Sequence, residues 1–422
     1  MEATRIRLAE GVHLTYLPAR KFKTSLLSAQ FVTPLRRETA GANALLAAVL
    51  RRGTVSCPDM GALSAKMDNL YDASIDYTVR KKGENQCVGF VASFIDDRYA
   101  PDGERLLEPA AALLGELICD PVTYHGRFVP EYFESEKTNL LEAIRSLIND
   151  KRDWADSRLL RALCDGEAYA VPRLGDEETV DKLQALKVYT QYRDLISTAP
   201  LEIIYSGSAD LERVKQALAA AFATLPREEV RVISTAAPHV CRESVQHVED
   251  VLDVTQGKLG MGFSCGSDDM PALLMGNTLF GGSSNSKLFL NVREKLSLCY
   301  YASSLYHRQK GLITVSSGIE FQNYQRAYDE IMAQLEAVQK GELEDWELEG
   351  ARSTLLNSYA TVGDSQGKLE NFYLGQAATG QHETPADLAR AIQDMTAERI
   401  YRAMSTVKLD TVYFLKGKEA EA

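Results

Sequence analysis

One order of secondary-structure elements can be read twice along this chain, and that repetition constrains the fold more than any other feature. Early on, LLSAQFVT (26–33) alternates enough for a half-buried strand. A polar loop follows, then an apolar helix, ANALLAAVL (42–50), then Arg51-Arg52-Gly53-Thr54. The helix MGALSAKMDNLY (60–71) and the strand SIDYTVR (74–80) come next. The later copy opens with the strand GKLGMGFSC (257–265) and continues with the helix ALLMGNTLF (272–280) and the turn GGSSN (281–285). It ends with the helix SKLFLNVREKL (286–296) and a strand near CYYASSLY (299–306).

The remainder of each half also corresponds. The first half has helices over 135–150 and 154–164, a Gly/Pro-bearing loop, a helix over 178–196 and the strand LEIIYSG (201–207). The second has helices over 345–361 and 366–379, a Pro-bearing loop, a helix over 385–404 and the strand DTVYFLKG (410–417). Similar orders arise by chance in α+β chains, but the match here runs over about seven elements, so a duplicated domain is the better reading.

Length agrees. At 422 residues a single core is not expected, since cores stop growing at roughly 250–300 residues. The expected fold is α+β, with an N-terminal domain over 1–225, a linker over 226–240 that carries two prolines, and a C-terminal domain over 241–422. Each domain is expected to hold a mixed, largely antiparallel sheet with helices packed on one face.

Charge and cysteine usage exclude several function classes. The net charge is 47 − 59 = −12, and no basic block stands out, so a nucleic-acid partner is not expected. No apolar run approaches the roughly 20 residues of a membrane helix, and the N-terminus lacks the apolar stretch of a signal peptide. Seven scattered cysteines without a CxxC pair argue against a disulfide framework or a structural zinc site, and for a reduced, cytoplasmic setting. The glycine turn Phe280-Gly281-Gly282-Ser283-Ser284 lacks the GxxxxGK[ST] pattern of a phosphate loop; it reads as a turn into a helix capped by Ser284, Asn285 or Ser286. GxSxG is also absent, although a serine or cysteine nucleophile with a distant His stays open.

Two segments resemble the insulinase-type (pitrilysin, M16) zinc peptidases. The first is GANALLAAVLRRGT (41–54). Active members carry HxxEH on this helix, ahead of a Gly-Thr, so that two His at i and i+4 bind one zinc and the Glu activates its water. Anchored on Gly53-Thr54, the resemblance places Ala44 and Ala48 at the His positions and Ala47 at the general base. The family's third ligand is a Glu seven residues after another Glu. In EKTNLLEA, Glu136 matches the first and Ala143 falls at the ligand, while Glu142 is one residue, about 100°, out of phase. The chain's six His (13, 125, 239, 247, 307 and 382) include no pair three or four apart, so no shift of alignment restores the motif. His239 and His247, flanking Cys241, are not read as a metal site. No metal and no cofactor are expected.

The second segment is LMGNTLFGGSSNSKLFLNVREKLSLCYYASS (274–304). It resembles the family's RExxxLxY stretch, whose Arg and Tyr touch the peptide from the half that lacks zinc. Arg293 and Tyr300 match that pair. Arg can clamp a carbonyl or carboxylate and a Tyr hydroxyl can donate to an oxyanion; equally, Arg293 can pair with a helix carboxylate such as Glu294, and Tyr300 can be strand packing.

Within the family the chain is most similar to a degenerate bacterial branch, through KMDNLYDASIDYTV, FESEKTNLL with NDKRDWADSRL, and REKLSLCYYASS. Some members carry names linked to elongation factor P modification; no residue here bears on that link. The resemblance implies an inactive peptidase homologue that acts as the non-catalytic subunit of a heteromer. Its partner would be a zinc-bearing M16 paralogue, with a peptide as substrate. A stand-alone peptide-binding or structural protein, and a peptidase with an unrecognised site, are the alternatives.

Overall fold

The computed structural model describes residues 3–233 and 237–418. The chain runs β1 (Thr4–Ala9), β2 (Val12–Pro18), β3 (Thr24–Pro34), α1 (Arg37–Leu50), α2 (Met60–Asp68), β4 (Ser74–Lys82), β5 (Asn85–Ile95) and α3 (Leu107–Cys119). A two-residue ribbon follows, β6 (Thr123–Tyr124) and β7 (Arg127–Phe128). Then come α4 (Pro130–Ser146), α5 (Lys151–Leu163), α6 (Glu177–Asp181), α7 (Ala185–Thr198), β8 (Leu201–Gly207) and α8 (Leu211–Ala221). The later half contains β9 (Gln246–Leu252), β10 (Gly257–Cys265), α9 (Met270–Asn277), β11 (Cys299–His307), β12 (Leu312–Ile319), α10 (Tyr324–Lys340), α11 (Asp345–Ala360), α12 (Gln366–Ala378), α13 (Pro385–Gln393), α14 (Ala397–Met404) and β13 (Val407–Gly417).

Both sheets are mixed and largely antiparallel, as the sequence predicts. The first has the order β1-β2-β8-β3-β5-β4 and the second β11-β12-β10-β13-β9. Without β1, the two orders are the same when β2, β8, β3, β5 and β4 are matched to β9, β13, β10, β12 and β11. The single parallel pair falls at the same place in each, β2 with β8 and β9 with β13. The repeat seen in the sequence is therefore a repeat of topology.

The compact units do not follow the contiguous split at 226–240. Unit one comprises Met1–Arg145, Val171–Thr235 and Gly363–His382; unit two comprises Ser146–Ala170, Ala236–Val362 and Glu383–Ala422. Each unit thus includes one helix from the other half of the chain, α12 in unit one and α5 in unit two. Of the expected linker, Glu228 and Arg231 donate backbone N–H groups to the Ser197 and Thr198 carbonyls of unit one, and the His239 N–H donates to Lys310 O of unit two. Residues 234–236 lie outside the described residues.

In unit one, alternate residues of β3 face opposite ways. Leu27, Ala29 and Phe31 enter an apolar core with α1 and α3. Ser28 and Gln30, both fully buried, face the other side, where α12 lies. In unit two, Leu259, Met261 and Phe263 of β10 enter the core, while Gly260 and Gly262 face α5. A Cβ at Gly262 would sit 2.7 Å from Leu163 Cδ2, and one at Gly260 would sit 3.2 Å from Leu159 Cδ2. Helix packing on one face is thus supplemented by one helix on the other. No disulfide joins any of the seven cysteines, and among the described residues no helix is long and apolar enough to cross a membrane.

Two helices expected to be continuous are broken, for the same physical reason. The segment 178–196 divides into α6 and α7, and 385–404 into α13 and α14. A break leaves carbonyls without helical donors. The Lys137 ammonium donates to the Asp181 and Leu183 carbonyls at 2.5 and 3.2 Å. The Arg352 guanidinium donates to those of Ile392, Gln393 and Met395 at 2.8, 2.8 and 3.1 Å. Lys137 and Arg352 are each the eighth residue of their helices, α4 and α11.

The glycines of β10 give a direct test of the α5 docking. Gly262→Val is expected to destabilise unit two by about 1–3 kcal/mol through overpacking. Adding Leu163→Ala, which empties the space the new side chain takes, should recover part of that loss in a denaturant series. A strictly additive double mutant would show that the two side chains do not compete.

Candidate functional site

The motif helix α1 ends at a tight corner that explains its Gly-Thr. A Cβ at Gly53 would lie 2.7 and 2.8 Å from the carbonyl oxygens of Pro58 and Cys57, so only glycine fits. Thr54 is fully buried and donates from Oγ1 to Glu116 Oε1 at 3.0 Å, and the Cys57 N–H returns a bond to the same hydroxyl at 3.0 Å. These contacts fix the end of α1. Alanine, the best helix former, fills its interior, and every residue from Ala40 to Leu50 is buried.

On that frame Ala44 and Ala48 border a cavity of about 750 Å³ in unit one. Helix α4 contributes Glu136, Asn139, Leu140 and Ala143, which are spaced i, i+3, i+4 and i+7 and share one helical face. Edge strand β4 contributes Tyr77 to Lys82, and Arg173, Leu174 and Asn371 complete the lining. Three of the four alanines singled out in the sequence, Ala44, Ala48 and Ala143, therefore meet at one cavity. Ala47 is buried in the core and does not line it. Glu142 is exposed and off the lining.

The donor set does not fit zinc. Glu136 is the one carboxylate among the lining residues, with no His or Cys beside it, whereas a catalytic zinc needs about three protein ligands. Glu136 is moreover engaged, accepting from Arg52 Nη1 at 2.8 Å and Asn139 Nδ2 at 3.2 Å. Zinc-activated hydrolysis has no ligand set among these lining residues.

Basic groups dominate instead: Arg80, Lys81, Lys82 and Arg173 line the cavity. Arg80 forms a bidentate pair with buried Glu370 of α12, at 2.6 and 2.7 Å, and Glu370 also accepts from Ser28 Oγ at 2.7 Å. Lys82 donates to Asn371 Oδ1 at 2.6 Å and to its carbonyl at 3.3 Å. Burial pulls the Lys82 ammonium below the ordinary lysine range. Arg173 donates to the Val79 carbonyl at 3.2 Å. Burial also pushes the Tyr77 phenol up, reinforced by the nearby Glu136 charge.

Arg293 and Tyr300 lie in unit two. The segments expected as α-helices there are partly π-helical: Thr278–Gly282 continues α9, and Leu288–Lys295 carries Arg293. Gly281 sits where a Cβ would come within 2.8 Å of the Ser304 backbone N and 2.7 Å of its Oγ, so the glycine turn serves close packing on β11. Arg293 stacks over the Phe289 ring at 4.7 Å and lies 3.6 Å from Glu294 Oε1. Tyr300, 61% exposed on edge strand β11, donates to Glu320 Oε1 at 2.6 Å, and that carboxylate holds its phenol above the ordinary range. The Arg293–Glu294 pairing weighed in the sequence is present; Tyr300 faces outward rather than packing in the sheet.

His239 does not join Cys241 and His247. Its Nδ1 meets Glu167 Oε1 at 2.5 Å and its Nε2 meets Asp410 Oδ2 at 3.2 Å. Ligand-type atoms of Cys164, Glu167 and His239 lie within 4.8 Å of one another. Cationic charge is already supplied there, by the Lys310 ammonium on Glu167 and by Arg242 Nη1 on Asp410 at 2.6 Å. This cluster, like the basic cavity, escaped the sequence because its members are far apart in the chain.

Two experiments probe the cavity. Restoring ligands with Ala44→His, Ala48→His and Ala143→Glu together should give about one bound zinc per chain; a folded triple variant that takes up no zinc would show that these positions do not share a metal-binding geometry. Glu370→Gln leaves Arg80 without its counter-charge and is expected to cost about 3–5 kcal/mol of stability, read by chemical denaturation, whereas a loss below about 1 kcal/mol would mean that solvent replaces the pair.

A family model described as the peptidase M16 inactive domain matches residues 182–355. A Bacillus subtilis protein named probable inactive metalloprotease YmfF is 34% identical over 416 residues, 97% of this chain and 96% of its own length. The crystal structure of a conserved protein from Enterococcus faecalis is similar over 100% of both chains, with a TM-score of 0.90 and 27% identity. That of a peptidase M16 inactive domain from Pseudomonas fluorescens, at 17% identity, shares the fold over 100% of both chains with a TM-score of 0.81. The chain belongs to the M16 peptidase family, among its inactive homologues.

Proposed function

We propose that this chain is the non-catalytic subunit of a heteromeric peptidase, holding peptide at the cavity beside β4 while a zinc-bearing M16 paralogue performs hydrolysis. The observation that carries the reading is the pairing of a roomy cavity with a lining that has lost its metal ligands. Ala44, Ala48 and Ala143 border about 750 Å³ of space next to a sheet edge. An edge strand offers unpaired backbone groups to an extended peptide, and the volume falls in the range of ligand sites.

In this reading Arg293 and Tyr300 face the partner's substrate. Both are accessible. Tyr300 would exchange its bond to Glu320 for one to the peptide, and Arg293 would present its fork while stacked on Phe289. The alternative, a stand-alone peptide-binding protein, draws on the same cavity and needs no role for this pair.

The test is reconstitution with the nearest zinc-bearing M16 paralogue. The chain alone should show no chelator-sensitive cleavage, and the mixture should gain or change activity. Arg293→Ala and Tyr300→Phe should each lower kcat/KM of the mixture by about 10²-fold, the size of losing one oxyanion donor. Unchanged kcat/KM in both would remove the site-completing role and leave peptide binding as the function.

A further inference from the structure

The cavity at the former metal position carries positive charge in a chain whose net charge is −12. Four lining side chains are basic and one is acidic. Arg80 pairs with Glu370, and Glu136 with Arg52. Lys82 and Arg173 differ, because the oxygens to which they are bonded are neutral: the side-chain and backbone carbonyls of Asn371 for Lys82, and the backbone carbonyl of Val79 for Arg173. A neutral acceptor satisfies hydrogen-bond geometry without cancelling charge. Lys81, next to Lys82 on β4, also lines the cavity. A zinc peptidase offers a dication ringed by carboxylate and imidazole; this cavity offers ammonium and guanidinium groups with no metal ligand set.

An extended peptide laid along β4 presents every second side chain to the same side, at a spacing of roughly 7 Å. The group such a wall would select is a carboxylate. Guanidinium takes it through a planar fork and ammonium as a point charge, both by charge-assisted hydrogen bonds. We propose that the cavity lined by Lys82 and Arg173 selects peptides bearing a carboxylate, on an acidic side chain or at the C-terminus. The proposal rests on the reading that this cavity holds peptide, and it adds the class of peptide.

The experiment titrates the purified full chain with three fluorescent ten-residue peptides of one sequence: a neutral amidated form, a form with two Gln replaced by Glu, and a neutral form with a free C-terminus. The Glu form, the free-carboxylate form, or both should bind about tenfold tighter than the neutral peptide at low salt, and which one does so identifies the carboxylate. The preference should shrink as ionic strength rises. In Lys82→Gln/Arg173→Gln the ratio of affinities should fall to about one. Arg173 is exposed, so Arg173→Glu is a second variant little dependent on folding. It should reverse the preference toward a peptide with Lys at the same positions. Equal binding of charged and neutral peptides by the native chain would overturn the carboxylate proposal while leaving peptide binding intact. Binding of none of the three would instead remove the peptide reading on which it rests.

Discussion

The pairing of Arg80 with Glu370 is the contact on which unit one depends. One face of its sheet carries buried Ser28 and Gln30, so that face cannot be covered by an apolar helix without stranding polar groups. Helix α12 answers it with polar side chains of its own. Gln366 donates to the Ser206 and Thr24 carbonyls, at 2.8 and 3.0 Å, and Glu370 takes Ser28 and Arg80 together. Toward the far end, Asn85 Nδ2 donates to the Ala378 carbonyl at 2.9 Å. Arg80 sits on β4, so the same ion pair that docks α12 also fixes the edge strand and brings Asn371 to Lys82. The cavity wall is a consequence of satisfying the second face of the sheet.

Unit two meets the equivalent need mainly by apolar contact at the centre of the face. Glycines 260 and 262 lower the surface of β10, and Leu159 and Leu163 of α5 fill the space. Tyr413 and Leu415 of β13 extend that packing. One topology thus carries two chemistries on the same face, a polar centre with α12 and an apolar centre with α5, flanked in the second case by the Arg158–Asp250 pair. The shared Lys137 and Arg352 devices, at the eighth position of α4 and α11, show that the duplication reaches the level of single capping contacts.

Legibility in the sequence tracks how local each signal is. Helix α1 and strands β10 and β8 could be read because their apolar pattern is continuous over one element. The breaks between α6 and α7 and between α13 and α14 could not, since the groups that stabilise them, Lys137 and Arg352, lie roughly 40 residues earlier. Helix exchange between the halves was invisible for the same reason: nothing within α5 or α12 states which sheet it covers. At the site, Ala44, Ala48, Glu136 and Ala143 were legible only through the resemblance to the family's motifs. The basic character was not, because Arg173 reaches the cavity from a loop 91 residues beyond Lys82.

A helix that exchanges His for Ala at two positions loses a metal but keeps its shape, because alanine favours the helix and asks nothing of its surroundings. The space the larger side chains would occupy is left beside the sheet edge, and what fills it is decided by the rest of the wall. Here that wall places an ammonium, with its pKa depressed by burial, against a neutral amide. Desolvation disfavours its charge, Asn371 supplies hydrogen-bond geometry without an opposite charge, and the Glu370 carboxylate favours the charge from farther away. An arriving carboxylate would add an opposite charge at hydrogen-bond range, which is the gain the proposed preference draws on. The alanines at the metal positions and the basic groups of the wall thus share one cavity.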